Sequence, residues 1–153
     1  MNAVNLYRIS RWFYLKKVSV LPDLISKSIF LIFNSYIPPS AAIGEGTVFA
    51  YGAIGVVLHA HCTIGNACVI GQGVTIGAAE GYASKKYNAS PSIGNNCYIA
   101  TGAKILGGIK IGNNCIIGAG AIVLADIPDN SIVVGAPARV IKNTEPGYLA
   151  IRD

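Results

Sequence analysis

Both histidines of the chain lie in one short stretch, and their side chains are well suited to acid–base chemistry. His59 and His61 occur in GVVLHAHCTIG, residues 55–65. An imidazole has an unperturbed pKa of about 6.5, so near neutral pH it can take up or release a proton. A surface histidine without a chemical role is the alternative. No CxxC or metal-type histidine spacing accompanies the pair, which disfavours a metal site.

The four cysteines indicate packing rather than catalysis. Each follows an apolar residue of a regular series, described next, by four positions: Cys62, Cys68, Cys97 and Cys115. Such a position favours a small inward side chain, and a reduced cysteine behaves as a small hydrophobe. Cys97 and Cys115 are predicted to lie within bridging distance, but we expect reduced thiols in a cytoplasmic protein.

A six-residue repeat predicts the elements that position these residues. IGNNC at 93–97 returns at 111–115, and apolar residues recur every six positions in three series. The series are Ile37, Ile43 and Phe49; Leu58, Ile64, Ile70 and Ile76; and Ile93, Ile99, Ile105, Ile111, Ile117 and Val123. This period predicts a β-solenoid whose strands turn a corner every six residues, with three sixes to a triangular coil. Residues eighteen apart should then stack at the strand spacing of about 4.8 Å.

The repeat has two irregularities. The first and second series differ in phase, which predicts a bulge or loop in YGAIGVV, residues 51–57. His59 follows this segment and comes directly after Leu58, a position that points inward, so its side chain should point outward. Residues 78–92, AAEGYASKKYNASPS, interrupt the sixes and predict an extruded loop that reaches a neighbouring copy.

Residues 1–36 form a basic segment that is predicted to be helical. They carry five basic residues against one acidic residue, Asp23, and the apolar residues repeat at helical spacing on both sides of Pro22. The segment would cap the open end of the solenoid. A solvated helix face and contact with an anionic membrane surface both fit the charge, whereas no nucleic-acid-binding motif accompanies it. Only 12% of the whole chain is charged, which predicts an oligomer.

Several features together resemble the left-handed β-helix acyltransferases. They are the hexapeptide pattern, GQGVTIG at 71–77, the break at 78–92 and the ending VVGAPARVIK at 133–142. The likeness is greatest to the serine acetyltransferase-like branch, which includes bacterial polysaccharide O-acetyltransferases. It implies an all-β solenoid: a left-handed parallel β-helix of hexapeptide repeats over residues 37–142, after the helical segment 1–36 and before a tail at 143–153. The handedness comes from the resemblance alone. It also implies acetyl-coenzyme A as co-substrate, no required metal, and a homotrimer that binds coenzyme A between neighbouring solenoids.

The resemblance also implies roles for individual residues. His59 matches the histidine that acts as general base in relatives with a similar stretch. Thr101 and Ala119 match small residues that let the backbone approach the pantetheine arm, and Arg139 and Lys142 match the basic positions that meet the nucleotide phosphates. For each of these positions the alternative is a residue that only satisfies the repeat or is a solvated charge.

Supporting roles are predicted for four further residues on the acceptor side of the site. His61 is a supporting or surface residue, and Glu80 is a candidate to orient His59. Lys85 and Tyr87 are candidates to line the acceptor cleft. A solvated loop without a direct role is the alternative for the last three.

The acceptor is predicted from departures from true serine acetyltransferases. Aligned on VTIG, their catalytic histidine falls near Gly52 and their second active-site histidine falls at Ser90. Only 36 residues precede the solenoid, whereas those enzymes have a long helical domain there. These differences favour a saccharide hydroxyl, in a capsular, lipopolysaccharide or exopolysaccharide precursor. The alternatives are serine O-acetylation and a non-enzymatic trimeric scaffold. The expected location is the cytoplasm, with peripheral contact at the inner face of the membrane as an open alternative.

Overall fold

The computed structural model describes residues 2–78 and 89–145, which form two helices followed by a ladder of short strands. The helices are α1 (Ala3–Leu15) and α2 (Leu21–Phe33). The first strands are β1 (Ala42–Ile43), β2 (Val48–Phe49), β3 (Val57–Leu58), β4 (Thr63–Ile64), β5 (Val69–Ile70), β6 (Thr75–Gly77) and β7 (Ser92–Ile93). The later strands are β8 (Tyr98–Ile99), β9 (Lys104–Leu106), β10 (Lys110–Ile111), β11 (Ile116–Ile117), β12 (Ile122–Val123), β13 (Ser131–Gly135) and β14 (Ala138–Asn143).

The strands wind into a prism with three faces. Face 1 contains β1, β4, β7 and β10, and face 3 contains β3, β6, β9 and β12. Face 2 contains β2, β5, β8, β11 and β13, which are parallel, and ends in the antiparallel strand β14. The predicted fold class is confirmed: the chain is a left-handed parallel β-helix of hexapeptide repeats with an N-terminal helical segment.

The core consists of the apolar columns that the sixes predicted. Ile111 pairs with Ile93, and Ile117 pairs with Ile99, so residues eighteen apart do stack. All members of the three series are buried, and the four cysteines are buried and reduced. A residue every six positions therefore points inward at each face, which is why the repeat is visible in the sequence.

Coil length varies where segments are inserted. Hydrogen bonds join residues at the same corner of adjacent coils, and the sequence separation of the joined residues gives the coil length. It is 21 residues for Glu45 and Asn66, 29 for Asn66 and Asn95, and 18 for Asn95 and Asn113. The first excess arises in a 3₁₀ turn, Ala50–Ala53, where Tyr51 and Gly52 have positive φ. This turn confirms the predicted irregularity at 51–57. The second excess arises between β6 and β7, where residues 79–88 of the predicted loop 78–92 lie outside the described residues.

The corner between faces 1 and 2 is held by a ladder of side-chain acceptors. The Oδ1 atoms of Asn66, Asn95, Asn113 and Asp129 each accept a backbone N–H from the coil before, at 2.7–2.8 Å. A glycine directly precedes each residue whose N–H donates in this ladder, and it lets the backbones of adjacent coils approach. A Cβ on Gly65, for example, would lie 2.5 Å from the Gly94 carbonyl oxygen. Such close approach is possible only without a side chain.

The helices pack on the first coil. The side chain of Asn2 caps α1 by accepting the Val4 N–H and donates to the Phe49 carbonyl. Tyr7 is buried and donates to the Ala41 carbonyl, and the Arg11 guanidinium donates to the carbonyls of Pro39, Ser40 and Ala41. In the described ranges, neither helix is long and apolar enough to cross a bilayer.

Candidate active site

His59 lies at the corner where the chain passes from face 3 to face 1. It follows β3 directly, and its backbone N–H donates to the Ile76 carbonyl of the next coil at 2.7 Å. Leu58 before it is 1% exposed, whereas the imidazole is half-buried at the surface of the prism, with Nε2 shielded from solvent. The side chain therefore points outward, as its place after Leu58 predicted. Gly77 occupies the equivalent corner one coil on, so His59 lies beside the start of segment 78–92.

His61 holds the ring of His59. Its backbone N–H donates to Nδ1 of His59 at 3.3 Å, and the two rings form an edge contact with centroids 5.8 Å apart. Since Nδ1 accepts a hydrogen bond, the proton of the neutral ring lies on Nε2. A half-turn about the Cβ–Cγ bond would exchange Nδ1 with Cδ2 and Nε2 with Cε1. The His61 carbonyl in turn accepts from the Ser90 hydroxyl at 2.7 Å, which ties this corner to the residue before Pro91.

The surroundings of His59 favour its neutral form. Burial lowers the pKa of its imidazole below 6.5, and the nearby His61 lowers it further. A neutral ring at neutral pH has a lone pair available to accept a proton. The site can therefore do general-base chemistry.

Thr101 and Ala119 lie at the opposite edge of face 3, at the corner that leads in from face 2. They follow β8 and β11, and the Gly120 N–H donates to the Thr101 carbonyl at 2.9 Å, so the two residues are stacked. Both side chains are exposed. A Cβ added to Gly102 or Gly120 would meet no atom within 4 Å, so this corner presents bare backbone to open space. An extended ligand could lie along it.

Arg139 continues this line, and Lys142 lies further from it. Strand β13 lies beside β11, with Val133 paired with Ile117, and the next residue, Val134, is paired with Arg139 of β14. Lys142 is paired with Ile132, two residues back along β13. Both basic side chains are exposed. They give positive charge to the end of the line of bare backbone.

Within one chain, the structure does not bring His59 and this line together. His59 lies at the edge of face 3 that leads to face 1, and Thr101 and Ala119 lie at the edge that adjoins face 2. A whole side of the prism separates the two corners. Glu80, Lys85 and Tyr87 lie outside the described residues, so their predicted roles stay predictions.

A cavity of about 300 Å³ lies beside α2, at residues for which the sequence predicted no site. Its lining contains Asp23, Ser26, Lys27, Phe30, Tyr36, Pro38 and Pro39. The available signal was the four-residue spacing of Asp23 and Lys27 on a helix, which places both on one face. Within the described residues, 2–78 and 89–145, no three His, Cys, Asp or Glu side chains are grouped as metal ligands.

Comparison with known proteins gives a consistent result. Residues 90–125 match the bacterial transferase hexapeptide (six repeats) model. The chain is 39% identical over 140 residues to a serine acetyltransferase of Synechococcus elongatus, covering 92% of this chain and 56% of the relative. Among solved structures, the Brucella abortus serine acetyltransferase in complex with coenzyme A has a TM-score of 0.86 at 32% identity, over 94% of this chain and 56% of that one. Soybean serine acetyltransferase complexed with serine has a TM-score of 0.83 at 34% identity, over 91% and 56%. The chain thus spans a little over half the length of these relatives.

The preference for a saccharide acceptor is wrong. The relative and the two solved structures named above are serine acetyltransferases, and the similarity to the Synechococcus elongatus enzyme covers 92% of this chain. The prediction gave too much weight to Gly52 and Ser90 at the family's histidine positions. The similarity extends over the rest of the chain despite Gly52 and Ser90, so those two positions do not identify the acceptor.

Proposed function

We propose that this hexapeptide-repeat chain is an acetyl-coenzyme A-dependent O-acetyltransferase whose acceptor is the hydroxyl of serine. The observation that carries the proposal is its 39% identity to a serine acetyltransferase over 92% of its length. An outward, half-buried histidine with a lowered pKa supports it, because acyl transfer to a hydroxyl requires a base.

His59 is proposed as that base. The imidazole takes the proton of the serine hydroxyl as its oxygen attacks the thioester carbonyl of acetyl-coenzyme A. The C–S bond then breaks, and the imidazolium returns that proton to the departing thiolate, which leaves as coenzyme A thiol. The transfer needs no covalent enzyme intermediate when the two substrates are aligned. In the present ring orientation the lone pair lies on Nδ1, where the contact with the His61 N–H is long at 3.3 Å. An acceptor hydroxyl can replace that contact, or the ring can turn to present the lone pair on its other side.

Thr101, Ala119, Arg139 and Lys142 are proposed to hold acetyl-coenzyme A. The bare backbone at Gly102 and Gly120, with no atom within 4 Å of an added Cβ, supports room for a pantetheine arm. Arg139 is proposed to meet the nucleotide phosphates, with Lys142 as a second cation, because guanidinium and ammonium groups bind phosphate by charge-assisted hydrogen bonds.

A homotrimer is proposed as the active form. His59 and the proposed coenzyme A line lie at opposite edges of face 3, so one chain alone does not bring donor and base together. In the proposed trimer, the donor bound to one chain meets His59 of the next. A column of outward apolar side chains on face 2 supports burial against a second copy: Val48, Val69, Tyr98, Ile116 and Ile132. Membrane contact by the N-terminal segment stays a prediction.

Thiol release from acetyl-coenzyme A tests the acceptor. We expect release that depends on L-serine, with acetylserine as the product, and much slower release with threonine or without an acceptor. Mass spectrometry of the product distinguishes acetyl transfer from thioester hydrolysis. Release with serine no faster than hydrolysis alone would contradict the proposed acceptor.

The pH profile should report the environment of His59. The base works only when its ring is neutral, so kcat/KM should fall as the pH drops through the folded pKa. Because burial and then His61 lower this pKa, the acid limb should have an apparent pKa below 6.5. In His61→Asn the limb should move upward yet stay below 6.5, since burial remains. An acid limb above 6.5 in the unaltered protein would be incompatible with His59 as the base.

Arg139 should contribute to the affinity for acetyl-coenzyme A. We expect Arg139→Gln to raise the KM for acetyl-coenzyme A by about fivefold to tenfold with little change in kcat. The lost phosphate contact lies away from the reacting atoms, so it would contribute equally to the bound complex and to the transition state. Lys142→Gln should have a smaller effect, since Lys142 lies further from the line. Lys110→Gln, on face 1, is the charge-matched control. Steady-state kinetics with varied acetyl-coenzyme A measures the effect, and a changed kcat at constant KM would argue against this role.

A further inference from the structure

The cavity beside α2 has the size and lining of a small-ligand site. Its volume is about 300 Å³, at the lower end of the usual range of about 300–1,000 Å³. Phe30, Tyr36, Pro38 and Pro39 give it apolar walls, and Asp23, Ser26 and Lys27 supply the polar groups. The cavity is therefore suited to a small molecule that carries charge at one end.

Two opposite charges face this cavity from one turn of α2. Asp23 and Lys27 are four residues apart, so their Cβ atoms lie about 5–6 Å from one another. Both side chains are exposed, and neither forms an ion pair with another described residue. One carboxylate and one ammonium at this separation match the two charges of a free amino acid. A ligand with only an anion or only a cation would be attracted by one of these charges and repelled by the other, whereas a zwitterion can pair with both.

The cavity adjoins the strand that leads to His59. Tyr36 forms a parallel bridge with Val57, and the Leu58 N–H donates to the Tyr36 carbonyl at 2.9 Å. Pro38 follows Tyr36 by two residues, as His59 follows Val57 by two. In this register Pro38, a wall of the cavity, lies alongside His59 at the edge of the prism.

We infer that this cavity binds the amino-acid end of the acceptor, with Asp23 facing the α-ammonium group, Lys27 facing the α-carboxylate and the side-chain hydroxyl directed toward His59. The inference rests on the proposed function and deepens it, since it assigns the residues that select a zwitterionic acceptor. It also gives the N-terminal helices a role besides covering the first coil.

Calorimetric titration of the full-length protein with L-serine, in the presence of coenzyme A, tests the binding role directly. Asp23→Asn and Lys27→Gln should each raise the Kd for serine by about tenfold, because each removes one charged contact. Glu45→Gln and Lys110→Gln remove exposed charges elsewhere and should leave the Kd within about twofold. Equal Kd values in all five proteins, or no binding of serine to the unaltered one, would overturn the inference.

Acceptor analogues separate the two roles. Serinamide lacks the carboxylate and glycerate lacks the amine, so both should be poor acceptors for the unaltered protein. In Lys27→Gln, the ratio of kcat/KM for serine to that for serinamide should fall by about tenfold, and the ratio for serine to glycerate should stay the same. In Asp23→Asn, the ratio to glycerate should fall and the ratio to serinamide should stay the same. Preferences unchanged by either substitution would overturn the assignment. Binding of serine that depends on both charges, without thiol release, would contradict the proposed reaction alone.

Discussion

Replacing His59 with alanine is expected to lower kcat for serine-dependent thiol release by about 10²-fold or more. A positioned base contributes about 10²- to 10⁴-fold, and alanine leaves water as the proton acceptor. The KM for acetyl-coenzyme A should change little, because the proposed partner of His59 is the acceptor hydroxyl and not the coenzyme. Stopped-time thiol assays at saturating serine and acetyl-coenzyme A measure the loss.

The matched variants decide whether the loss is chemical. Glu45 lies at another corner of the first coil, so the Glu45→Gln variant should retain full kcat. The His59 side chain is half-buried, so its removal should leave the unfolding midpoint nearly unchanged. Activity of His59→Ala within threefold of the unaltered protein would exclude the base assignment. A loss of activity that follows a loss of folded protein would mean that His59 has a structural role instead.

Mixed trimers offer a sharper form of the same test. If the donor line of one chain meets the histidine of another, His59→Ala and Arg139→Gln chains mixed together should form some intact sites. At acetyl-coenzyme A concentrations well below its KM, where Arg139→Gln is slow, such mixtures should then exceed the average of the two separate variants. The gain arises because an interface between unlike chains can combine an unaltered His59 with an unaltered Arg139. No gain on mixing would favour sites built within one chain.

The fold could be predicted from the sequence because the repeat ties each inward residue to the same position of every coil. Ile93, Ile99 and Ile105 stand six apart and end up on three faces of one coil, all buried. The change of phase before Leu58 likewise predicted the turn at Ala50–Ala53. Handedness was different: a period of six is the same in a left-handed and a right-handed coil, so only the family resemblance indicated it.

The site could be predicted only in part. Outward orientation of His59 follows from the inward Leu58, but the contact of the His61 N–H with Nδ1 depends on the path of the corner, which no spacing reveals. The separation of His59 from Thr101 also needed the topology, because stacking alone does not say which edge of a face each corner occupies. Asp23 and Lys27 were visible only as charges until the fold placed them beside Tyr36.

The acceptor was the largest error, and its cause is physical. Selection of serine over a sugar depends on a few polar contacts, and such contacts can come from residues far apart in the chain. The saccharide prediction rested on Gly52 and Ser90 at two histidine positions and on the 36 residues before the solenoid. The similarity of the remaining chain, including the helical segment that carries the proposed acceptor contacts, is not visible in one sequence alone.

Gly65→Ala is expected to destabilise the fold by about 3 kcal/mol or more, although it adds a single methyl group. The new Cβ would lie 2.5 Å from the Gly94 carbonyl oxygen and 2.6 Å from Oδ1 of Asn95, both in the next coil. Neither atom can move freely, because the Gly65 N–H donates to the Ile93 carbonyl at 2.9 Å and the Asn66 N–H donates to that Oδ1 at 2.8 Å. Overpacking a rigid contact costs about 1–3 kcal/mol, and here the coils must also separate and lengthen two hydrogen bonds.

Two other glycines separate this steric effect from the loss of glycine itself. At Gly77 an added Cβ would meet ordinary contacts at 3.7 Å or more, so Gly77→Ala should cost less than about 1 kcal/mol. At Gly102 there is open space but φ is +70°, so alanine there should cost about 1–2 kcal/mol from backbone strain. Urea unfolding at one protein concentration measures all three, with the concentration fixed because association shifts apparent stability. We expect the cost in stability to decrease in the order Gly65, Gly102, Gly77. The excess at Gly65 reflects contact between the backbones of adjacent coils, so equal costs at Gly65 and Gly77 would mean that the coils are not packed this closely.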